Sequence, residues 1–314
     1  MKTLRVHLLI LNYNGADLLR RYLPSFQKAV ARSRHACRLS VVDNASRDAS
    51  AEVLRKEFPS VGLLASAENR VLCSYNEAVA GLSDEVVVLM NNDIEVEEGF
   101  IDPLVEPFLD GGEVFFVTPR CLSLTDGSYE GNKTRARIRY GLFWSSALYP
   151  GHEKEIAGPG ATFQGGFGAF DRQKFLTLGG YDELYLPGRL EDADLCFRAQ
   201  KRGWKCLYQP ASVVYHEGGV SFARVFGPRK TLVINWRNTY LFMWKNLSDK
   251  IYLLKSFAWL PVRFLFSLLS GRPELFLGFC EALPRLGQAL RRRRALAREG
   301  FFEGVPDREI FGRV

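Results

Sequence analysis

Carboxylate and amide side chains follow three of the apolar runs in the first hundred residues. The clusters are Asn12-Tyr13-Asn14-Gly15, Asp43-Asn44-Ala45-Ser46 and Asn91-Asn92-Asp93. A carboxylate at the end of a rigid strand, such as Asp43, can accept hydrogen bonds from a pyrimidine N–H or a ribose hydroxyl. Asp93 is suited to Mg²⁺ or Mn²⁺, because these ions prefer one or two protein carboxylates together with phosphate oxygens and water. The two aspartates therefore fit a ligand that carries a base, a ribose and an anionic diphosphate.

The second and third of these clusters also have a purely structural interpretation. Asp43 or Ser46 can cap the helix that follows, because short polar side chains favour that position. Asn91 and Asn92 are good turn formers and can simply end a strand. At this level both interpretations of each cluster stay open.

A pair of carboxylates, Glu191 and Asp192, stands at the predicted start of a helix. The helix dipole tolerates negative charge there, so the pair also has a structural explanation. Transfer of a group to a hydroxyl needs a base within hydrogen-bond reach of that hydroxyl, and such a base typically contributes about 10²–10⁴-fold. Asp192 and Glu191 are the candidates. Asp194, two residues further on, points off that face and is predicted to be structural.

His216 is one of four histidines and stands just before Gly218-Gly219, where a strand is predicted to end. A histidine in this position can ligate a metal or bind a phosphate. The alternative is a buried histidine whose ring nitrogens are satisfied by the protein itself.

The elements that position these residues alternate along the first hundred residues. Apolar β-rich runs are predicted as strands at 5–11, 39–42, 61–64 and 85–90, and helices near 17–30, 49–57 and 73–81. This alternation is typical of an α/β fold with a mainly parallel central sheet flanked by helices. Ligands of such sheets bind at the carboxyl ends of the strands. All three polar clusters are therefore expected at one edge.

The segment from 113 to 170 is rich in glycine and is predicted to be irregular and to carry the variable half of the binding site. Its Trp144, Tyr149 and Phe163 can offer aromatic faces to a ligand or pack in the core. Helices are predicted at 171–178 and 192–201. Two short strands, near 206–208 and 213–215, would lead to His216.

The basic charge of the chain lies in its last part. Of 314 residues with net charge +7, those from Ser221 onward include 17 Lys and Arg against 7 Asp and Glu. This part is predicted to be helical. Its cations alternate with Leu, Phe and Trp, which favours an anionic membrane surface over nucleic acid.

The apolar stretch 251–270 contains Lys255, Pro261 and Arg263. A cation at mid-membrane costs about 2.5–3.5 kcal/mol. The stretch is therefore expected to lie in the membrane interface. The six cysteines show no CxxC spacing and are expected to be reduced thiols of a cytoplasmic protein.

Taken together, these motifs resemble the family 2 glycosyltransferases, which have a GT-A fold, and especially their rhamnosyltransferase-like branch in bacterial surface-glycan biosynthesis. The resemblance covers residues 6–216. The pieces that carry it are Ile10-Leu11-Asn12-Tyr13-Asn14, Val41-Val42-Asp43-Asn44-Ala45-Ser46-Arg47-Asp48, Asn69 with Asn76, Asn91-Asn92-Asp93, Gly165-Gly166, Leu178-Gly179-Gly180-Tyr181-Asp182-Glu183, Glu191-Asp192-Ala193-Asp194-Leu195-Cys196-Phe197-Arg198-Ala199, and Gly203-Trp204 leading to His216. In the tail, Asn235-Trp236-Arg237-Asn238 is similar to the helix that follows the catalytic part in the same branch.

The resemblance implies a role for each matching position. The donor-binding residues would be Asn12, Tyr13, Asn14, Asp43 and Asn76. The metal, Mg²⁺ or Mn²⁺, would be held by Asp93 and His216. Asp192 would be the catalytic base, with Glu191 beside it. Two positions depart from the family pattern: Asn91 stands where many relatives carry a first aspartate, and Arg70 replaces the usual glycine after Asn69.

We therefore predict a GT-A glycosyltransferase domain over residues 1–225 and a basic, amphipathic, membrane-interfacial helical extension over 226–314. The enzyme would move one sugar, with inversion, from a UDP- or dTDP-sugar to a glycan or polyprenyl-linked acceptor at the inner face of the cell membrane. One alternative is a catalytically degenerate relative that scaffolds other transferases. The other is a sugar-phosphate nucleotidyltransferase, although the loop after the first strand, Asn12-Tyr13-Asn14-Gly15-Ala16-Asp17, lacks the Lys and Arg of such enzymes.

Overall fold

The first part of the chain forms a parallel sheet with crossover helices. The computed structural model describes residues 2–218 and 225–312. The parallel strands are β1 (Arg5–Asn12), β2 (Ala36–Asp43), β3 (Gly62–Ala65) and β4 (Val86–Asn91), in the spatial order β3, β2, β1, β4. The crossover helices are α1 (Ala16–Arg32), α2 (Ser50–Glu57) and α3 (Ser74–Ala80). The interiors of β1 and β4 are buried and, apart from His7 in β1, apolar, because such strands are covered on both faces. The predicted alternation is confirmed.

Further strands extend this sheet beyond β4 and make it mixed. The short strand β5 is Ile94–Val96, and the longer ones are β6 (Val114–Ser123), β11 (Gly168–Asp171) and β12 (Lys205–His216). β11 runs antiparallel between β4 and β6, and β12 pairs in parallel with β6. At the margins, β5 pairs with β12, β7 (Tyr129–Gly131) with β6, and β10 (Gly160–Ala161) with β12. The remaining helices of this part are α4 (Ile101–Val105), α5 (His152–Glu155), α6 (Arg172–Thr177) and α7 (Glu191–Lys201).

Two details differ from the sequence-based expectation. The segment 113–170 is not irregular, since it begins with the ten-residue strand β6. This strand starts with the apolar residues 114–117 and continues past Pro119 to Ser123. The two short strands expected before His216 are one strand, β12. Its pairing with β6 shifts between Gln209 and Val213, beside Pro210, which has no N–H to donate to the sheet.

A separate antiparallel hairpin lies within the same segment. It consists of β8 (Arg135–Arg139) and β9 (Leu142–Ser146). The connecting residues Tyr140 and Gly141 have φ angles of 49° and 70°. A two-residue turn with positive φ at both positions matches the twist of the strands that it joins.

The chain after Gly227 is helical, as predicted. Helix α8 (Pro228–Asn246) contributes buried side chains, including Tyr240 and Phe242, to a cluster with Tyr185 and Phe197. The Phe197 and Phe242 rings lie 5.4 Å apart. This cluster joins α8 to α7, the helix that begins with Glu191 and Asp192.

The remaining helices are α9 (Lys250–Ala258), α10 (Leu260–Leu269), α11 (Glu274–Ala282), α12 (Leu286–Arg298) and α13 (Asp307–Gly312). Among the described residues, one helical stretch, Lys250–Leu269, is long and apolar enough to cross a bilayer by length and composition. Only 17% of its apolar window is buried against the protein. The stretch comprises α9 and α10, which meet at Trp259. Because so little of it is buried, most of its apolar surface faces outward.

Candidate active site

The ends of β1 and β2 meet in a buried hydrogen-bonded cluster. The sheet register places Asn12 directly opposite Asp43. Asn12 Nδ2 donates to Asp43 Oδ1 and to Ser46 Oγ, both at 3.3 Å, and Asn12 Oδ1 accepts from Asn92 Nδ2 at 2.7 Å. A Cβ atom at Gly15 would lie 2.2 Å from Asn92 Nδ2, so only glycine leaves room for this amide. The first and third polar clusters are therefore tied together through Asn12.

The loop after β1 packs against the loop after β2, beside Asp43. The backbone N–H of Asn14 donates to Ser46 Oγ at 2.9 Å, and Asn14 Oδ1 accepts from the Arg47 N–H at 2.7 Å. Tyr13, between them, is 47% exposed. The three residues predicted to line a base pocket thus lie beside Asp43, with a half-exposed aromatic ring in their middle.

Asp43 is not a helix cap. Its Oδ2 accepts the Ser46 N–H at 3.2 Å, while α2 begins only at Ser50. Asp48 instead binds the first residues of two helices, since it accepts hydrogen bonds from the N–H of Ser50 in α2 at 3.0 Å and from the N–H of Ala16 in α1 at 2.9 Å. The alternative that Asp43 or Ser46 caps α2 is therefore wrong.

Asn76 is engaged elsewhere. Its Nδ2 donates to the Tyr181 carbonyl at 2.8 Å, and its Oδ1 accepts the Tyr181 N–H at 2.9 Å. Both ends of the amide thus bind backbone, which supports a structural role. Near the donor cluster, the buried Asn44 donates from Nδ2 to Asn69 Oδ1 at 2.8 Å and holds the loop around Arg70.

Asp93 and His216 form a second polar cluster, which includes a residue that sequence reasoning missed. His216 Nε2 lies 3.4 Å from Asp93 Oδ2, and His216 Nδ1 lies 2.8 Å from Glu130 Oε2. Asp93 is 6% exposed, and its Oδ1 has no hydrogen-bond partner among the described residues. Cys121 completes a group with Glu130 and His216 in which one ligand atom of each lies within 4.8 Å of the others. This donor set of carboxylate oxygens and an imidazole nitrogen fits a divalent cation.

The carboxylates of Asp93 and Glu130 favour the protonated form of His216. Hydrogen bonding to Asp93 is the main cause that raises the pKa of His216, to about 9, and Glu130 adds to it against the opposing effect of burial. Burial raises the pKa of the Cys121 thiol to about 12. In this arrangement a protonated His216 offsets part of the negative charge of Asp93 and Glu130, a role that a bound cation would also fill.

Glu191 and Asp192 begin α7 as predicted. Asp192 Oδ2 accepts from Gln164 Nε2 at 3.2 Å, and Oδ1 accepts the Ala193 N–H at 2.8 Å. Glu191 is 7% exposed, and its Oε2 has no hydrogen-bond partner in residues 2–218 or 225–312. Burial raises the pKa of both carboxyl groups, and the charge of Asp192 raises that of Glu191 further. A carboxyl group with a raised pKa is better matched to accepting a proton near neutral pH.

The tail helix holds the loop that precedes these carboxylates. Asn238 Nδ2 donates to the carbonyl oxygens of Tyr185, Gly188 and Arg189 at 2.7–2.8 Å. Leu190, the last residue before α7, has a φ angle of 68°, which is strained for a residue other than glycine. The contacts from Asn238 thus fix the backbone from which Glu191 and Asp192 project.

Asp194 is structural, as its position in the helix predicts. It is fully buried and accepts hydrogen bonds at 2.7 Å from Arg198 Nε, Lys245 Nζ and the Tyr185 hydroxyl. Lys245 Nζ also donates to Asp182 Oδ2 at 2.7 Å. This network joins α7 to α8 and leaves Asp192 as the less buried carboxylate at the helix start.

A short segment that contains Gly165-Gly166 connects the two carboxylate regions. Gln164 donates to Asp192 at one end, and the Phe167 ring lies 6.5 Å from the His216 ring at the other. A Cβ atom at Gly165 would lie 2.5 Å from Thr118 Oγ1, so the segment packs tightly on β6. Three residues span at most about 11 Å. Asp192 and His216 therefore lie on opposite ends of one short, rigid bridge.

Glu130 and Gln164 carry no sequence signal of their own. Both fall in the segment predicted to be irregular, and Glu130 is 86 residues away from His216. Asn44 lies within a recognised motif, and its role could have been inferred from that position. The other two become visible only through the fold.

These features place polar clusters at strand ends of a mixed α/β sheet, where sheets of this class bind their ligands. The model of the family "Glycosyl transferase family 2" matches residues 8–179, more than half of the chain, and the chain belongs to this family.

Among curated proteins, "Putative polypeptide N-acetylgalactosaminyltransferase 10" of Drosophila melanogaster is 27% identical over 175 residues. The match covers 53% of this chain and 28% of that protein, so the chain spans little more than a quarter of the relative's length.

Two solved structures share the fold. A crystal structure of GalNAc-T7 with UDP, GalNAc and Mn²⁺ has a TM-score of 0.60 at 18% identity, covering 80% of this chain and 49% of that one. The mannosyltransferase PcManGT from Pyrobaculum calidifontis, in complex with GDP-Man and Mn²⁺, has a TM-score of 0.53 at 16% identity, covering 93% of this chain and 88% of that one. The predicted GT-A fold is confirmed.

Proposed function

We propose that this chain is an inverting glycosyltransferase that moves one sugar from a UDP- or dTDP-sugar to a glycan or polyprenyl-linked acceptor. We assign it to cell-surface polysaccharide assembly and to the rhamnosyltransferase-like branch of its family. The observation that carries the proposal is the bridge formed by Gln164 and Phe167. This bridge joins a candidate base, Asp192, to a candidate metal site at His216.

The nucleobase of the sugar donor would bind at the ends of β1 and β2. Each oxygen of Asp43 accepts one hydrogen bond within the protein and keeps a free lone pair for a pyrimidine N–H or a ribose hydroxyl. Asn12 and Asn14 fix the walls, and the half-exposed ring of Tyr13 offers a face on which a base can stack. Asn76 is left out of the donor site, because its amide is fully engaged with Tyr181.

Asp93 and His216 would hold Mg²⁺ or Mn²⁺, and Glu130 would orient His216. The fit rests on the buried Oδ1 of Asp93, which has no hydrogen-bond partner in the part of the chain that the structure describes. A divalent ion bound there would offset negative charge on the departing diphosphate. Asn91 stands where many relatives carry a first aspartate, so Asp93 is the one carboxylate of this motif. Glu130 would supply the second carboxylate of the cluster.

Asp192 would act as the base. It would take the proton from the acceptor hydroxyl while that oxygen attacks the anomeric carbon and the bond from this carbon to the diphosphate oxygen breaks. Attack from the face opposite the leaving group inverts the configuration. Gln164 Nε2 holds one carboxylate oxygen, and the Ala193 N–H holds the other, so the side chain is fixed before the acceptor arrives.

The proposal is tested by measuring the release of nucleoside diphosphate. The purified protein is incubated with UDP- and dTDP-sugars, Mn²⁺ or Mg²⁺, and membrane extract, with GDP-mannose included as a purine-donor comparison. We expect acceptor-dependent release with a pyrimidine donor and none from Asp192→Asn. No release with any donor would overturn the proposal, and turnover with GDP-mannose alone would overturn the assignment of the base pocket.

A non-catalytic scaffold is a second candidate, and Asn91 favours it because loss of a metal carboxylate is one way in which such enzymes decay. Calorimetry with UDP and dTDP, with and without Mn²⁺, separates the two functions. An enzyme would bind nucleotide more tightly with Mn²⁺, whereas metal-independent binding without turnover would support the scaffold.

We also propose that residues 226–314 form a membrane-interfacial extension to a glycosyltransferase domain at 1–225, at the inner face of the cell membrane. Helices α9 and α10 expose several large apolar side chains, with exposed fractions of 52–78%: Ile251, Leu254, Phe257, Val262, Leu265, Phe266, Leu268 and Leu269. The cations Lys250, Lys255 and Arg272 are also exposed on this part of the chain. This combination suits the surface of an anionic bilayer.

Sedimentation with vesicles tests the membrane proposal. We expect binding to vesicles that contain phosphatidylglycerol at low salt, and weaker binding as salt screens the charges. The variant Leu254→Ser/Phe266→Ser should lose this binding, while Leu148→Ser, at another exposed leucine (61%), should retain it. Equal sedimentation of all three proteins would reject the assigned surface.

A further inference from the structure

The hairpin β8–β9 carries a row of arginines on its outer face. Arg135, Arg137 and Arg139 are exposed, whereas Ala136 is buried and Ile138 packs against the cluster that joins α7 to α8. This alternation follows from the two-residue period of a strand. At about 3.3 Å per residue, the three cations are spread over about 13 Å.

Each guanidinium group lies over an aromatic ring. Arg137 is 4.6 Å from the centre of the Trp144 ring, and Arg139 is 5.0 Å from that of Tyr140. Arg135 lies 4.6 Å from the Tyr149 ring. Such stacking holds a guanidinium in place while leaving its N–H groups free to donate.

The row has an excess of positive charge. Arg135 forms an ion pair with Glu155. Arg137 and Arg139 have no carboxylate partner in residues 2–218 and 225–312. A surface arginine without a carboxylate partner that is also fixed by stacking is well suited to bind phosphate, because its planar N–H fork matches phosphate oxygens.

One end of the row is linked to the candidate base through Thr134 and Gln164. Thr134 immediately precedes β8, and its Oγ1 donates to the Gln164 carbonyl at 2.8 Å and accepts the Gln164 N–H at 2.9 Å. Gln164 in turn donates from its side chain to Asp192. Arg135 is therefore one residue away from the contact that leads to Asp192.

The other end lies against the apolar helices. The Tyr140 and Trp259 rings are 5.2 Å apart, and Arg263 donates to the Tyr140 carbonyl at 3.0 Å. A Cβ atom at Gly141 would lie 2.6 Å from the Lys255 carbonyl oxygen, so the turn packs directly on α9. The row thus leads from the candidate base to the exposed apolar surface of α9 and α10.

We infer that the arginine row, Arg135, Arg137 and Arg139, binds the diphosphate of a lipid-linked acceptor. The sugar end of this acceptor would reach Asp192, and its hydrocarbon would lie on α9 and α10. The inference rests on the proposed function, since it places the acceptor at the same base. It names residues for the acceptor side, whereas the donor diphosphate belongs to the metal cluster around Asp93.

The test measures binding rather than turnover, so it does not depend on knowing the sugar. Farnesyl diphosphate is titrated into the UDP- and Mn²⁺-saturated protein, and binding is followed by calorimetry. Farnesol serves as the probe without phosphate. The variant Arg137→Gln/Arg139→Gln is compared with Lys28→Gln/Arg55→Gln, which removes two exposed cations from α1 and α2.

We expect the wild type to bind farnesyl diphosphate more tightly than farnesol, and the row variant to lose about tenfold or more in affinity, which is about 1.4 kcal/mol or more, because it lacks the charged N–H donors that match phosphate oxygens. The control variant should bind as the wild type does. Arg137→Lys/Arg139→Lys should recover part of the loss, and circular dichroism should show that all variants are folded.

Phospholipid headgroups are the other source of phosphate. If the row variant loses sedimentation with phosphatidylglycerol vesicles but binds farnesyl diphosphate as the wild type does, the row binds headgroups and the inference is overturned. Unchanged affinity in both assays also overturns it. Release of nucleoside diphosphate from sugar donors, measured separately, reports on the proposed function, so failure of that function is distinguishable from failure of the acceptor site.

Discussion

Replacement of Lys245 by methionine is expected to destabilise the protein through the buried network beneath the candidate base. The Lys245 side chain is 2% exposed and donates to both Asp182 and Asp194, whose side chains are 8% and 0% exposed. Methionine has a similar length but no charge, so two buried carboxylates lose the cation that they share. Removal of one partner from a buried ion pair costs about 3–5 kcal/mol. At about 2–4 °C per kcal/mol, the midpoint of thermal unfolding should fall by roughly 6–20 °C.

The loss should depend on pH in a defined direction. Burial by itself raises the pKa of Asp194, but the charges of Lys245 and Arg198 outweigh it and hold the pKa well below its usual value. The pKa of Asp182 is lowered in the same way, with Lys245 as the main opposing charge. Stability from a lowered carboxyl pKa is present above the ordinary value, about 3.9, and is lost as pH falls through the lowered one. The difference between wild type and variant should therefore be largest at neutral pH and shrink in acid.

The matched control is Lys230→Met on the same helix. Lys230 pairs with Glu281 at 2.7 Å, but these side chains are 49% and 37% exposed. An exposed pair contributes about 0–1 kcal/mol, so this variant should unfold close to the wild type. Thermal and urea unfolding followed by circular dichroism, at neutral pH and at about pH 3, measure both differences. Equal losses for the two variants, or a Lys245→Met loss that grows in acid, would refute the reasoning.

Three further predictions concern the site itself. Asp192→Asn should lower kcat by about 10²–10⁴-fold while calorimetry shows unchanged UDP or dTDP affinity, and retained turnover would reject Asp192 as the base. Glu191→Gln should leave the acid limb of the kcat/KM profile close to its wild-type position, because burial and the charge of Asp192 raise the pKa of Glu191 to about 8, so that Glu191 already carries its proton when Asp192 titrates, and a clearly displaced limb would count against this order of protonation. Glu130→Gln should weaken Mn²⁺ binding by about 10–100-fold in a titration followed by electron paramagnetic resonance, with Glu153→Gln as an exposed control, and equal affinities would remove Glu130 from the metal site.

Local sequence patterns predicted much of the fold. The runs that became β1 and β4 are mainly apolar, and the helices between them follow the amphipathic pattern, so their positions depend mainly on neighbours in the chain. The long strand β12 was harder, because Pro210 interrupts its pattern while pairing with β6 keeps both halves in one sheet. Only the partner strand decides such a case.

Some residues of the candidate site could be predicted from local sequence, whereas others depend on distant contacts. Asp43 and Asp93 follow strands, so sequence alone predicted them at the edge where ligands bind in such sheets, whereas Asp192 was predicted only to begin a helix. Asn76 was assigned to the donor by motif, yet its amide is engaged with Tyr181, a residue 105 positions away. A motif fixes the position of a residue but not which neighbour uses its polar atoms.

The sequence by itself determined the alternation of strands and helices, the polar clusters at the strand ends, and the basic, apolar character of the tail. These depend on periodicity and on side-chain type within short stretches of chain. The tertiary structure decided that Glu130 meets His216, that Gln164 meets Asp192 across 28 residues, and that the hairpin turn at Tyr140 packs on Trp259. Those contacts arise where distant segments cross, and no local pattern encodes the crossing.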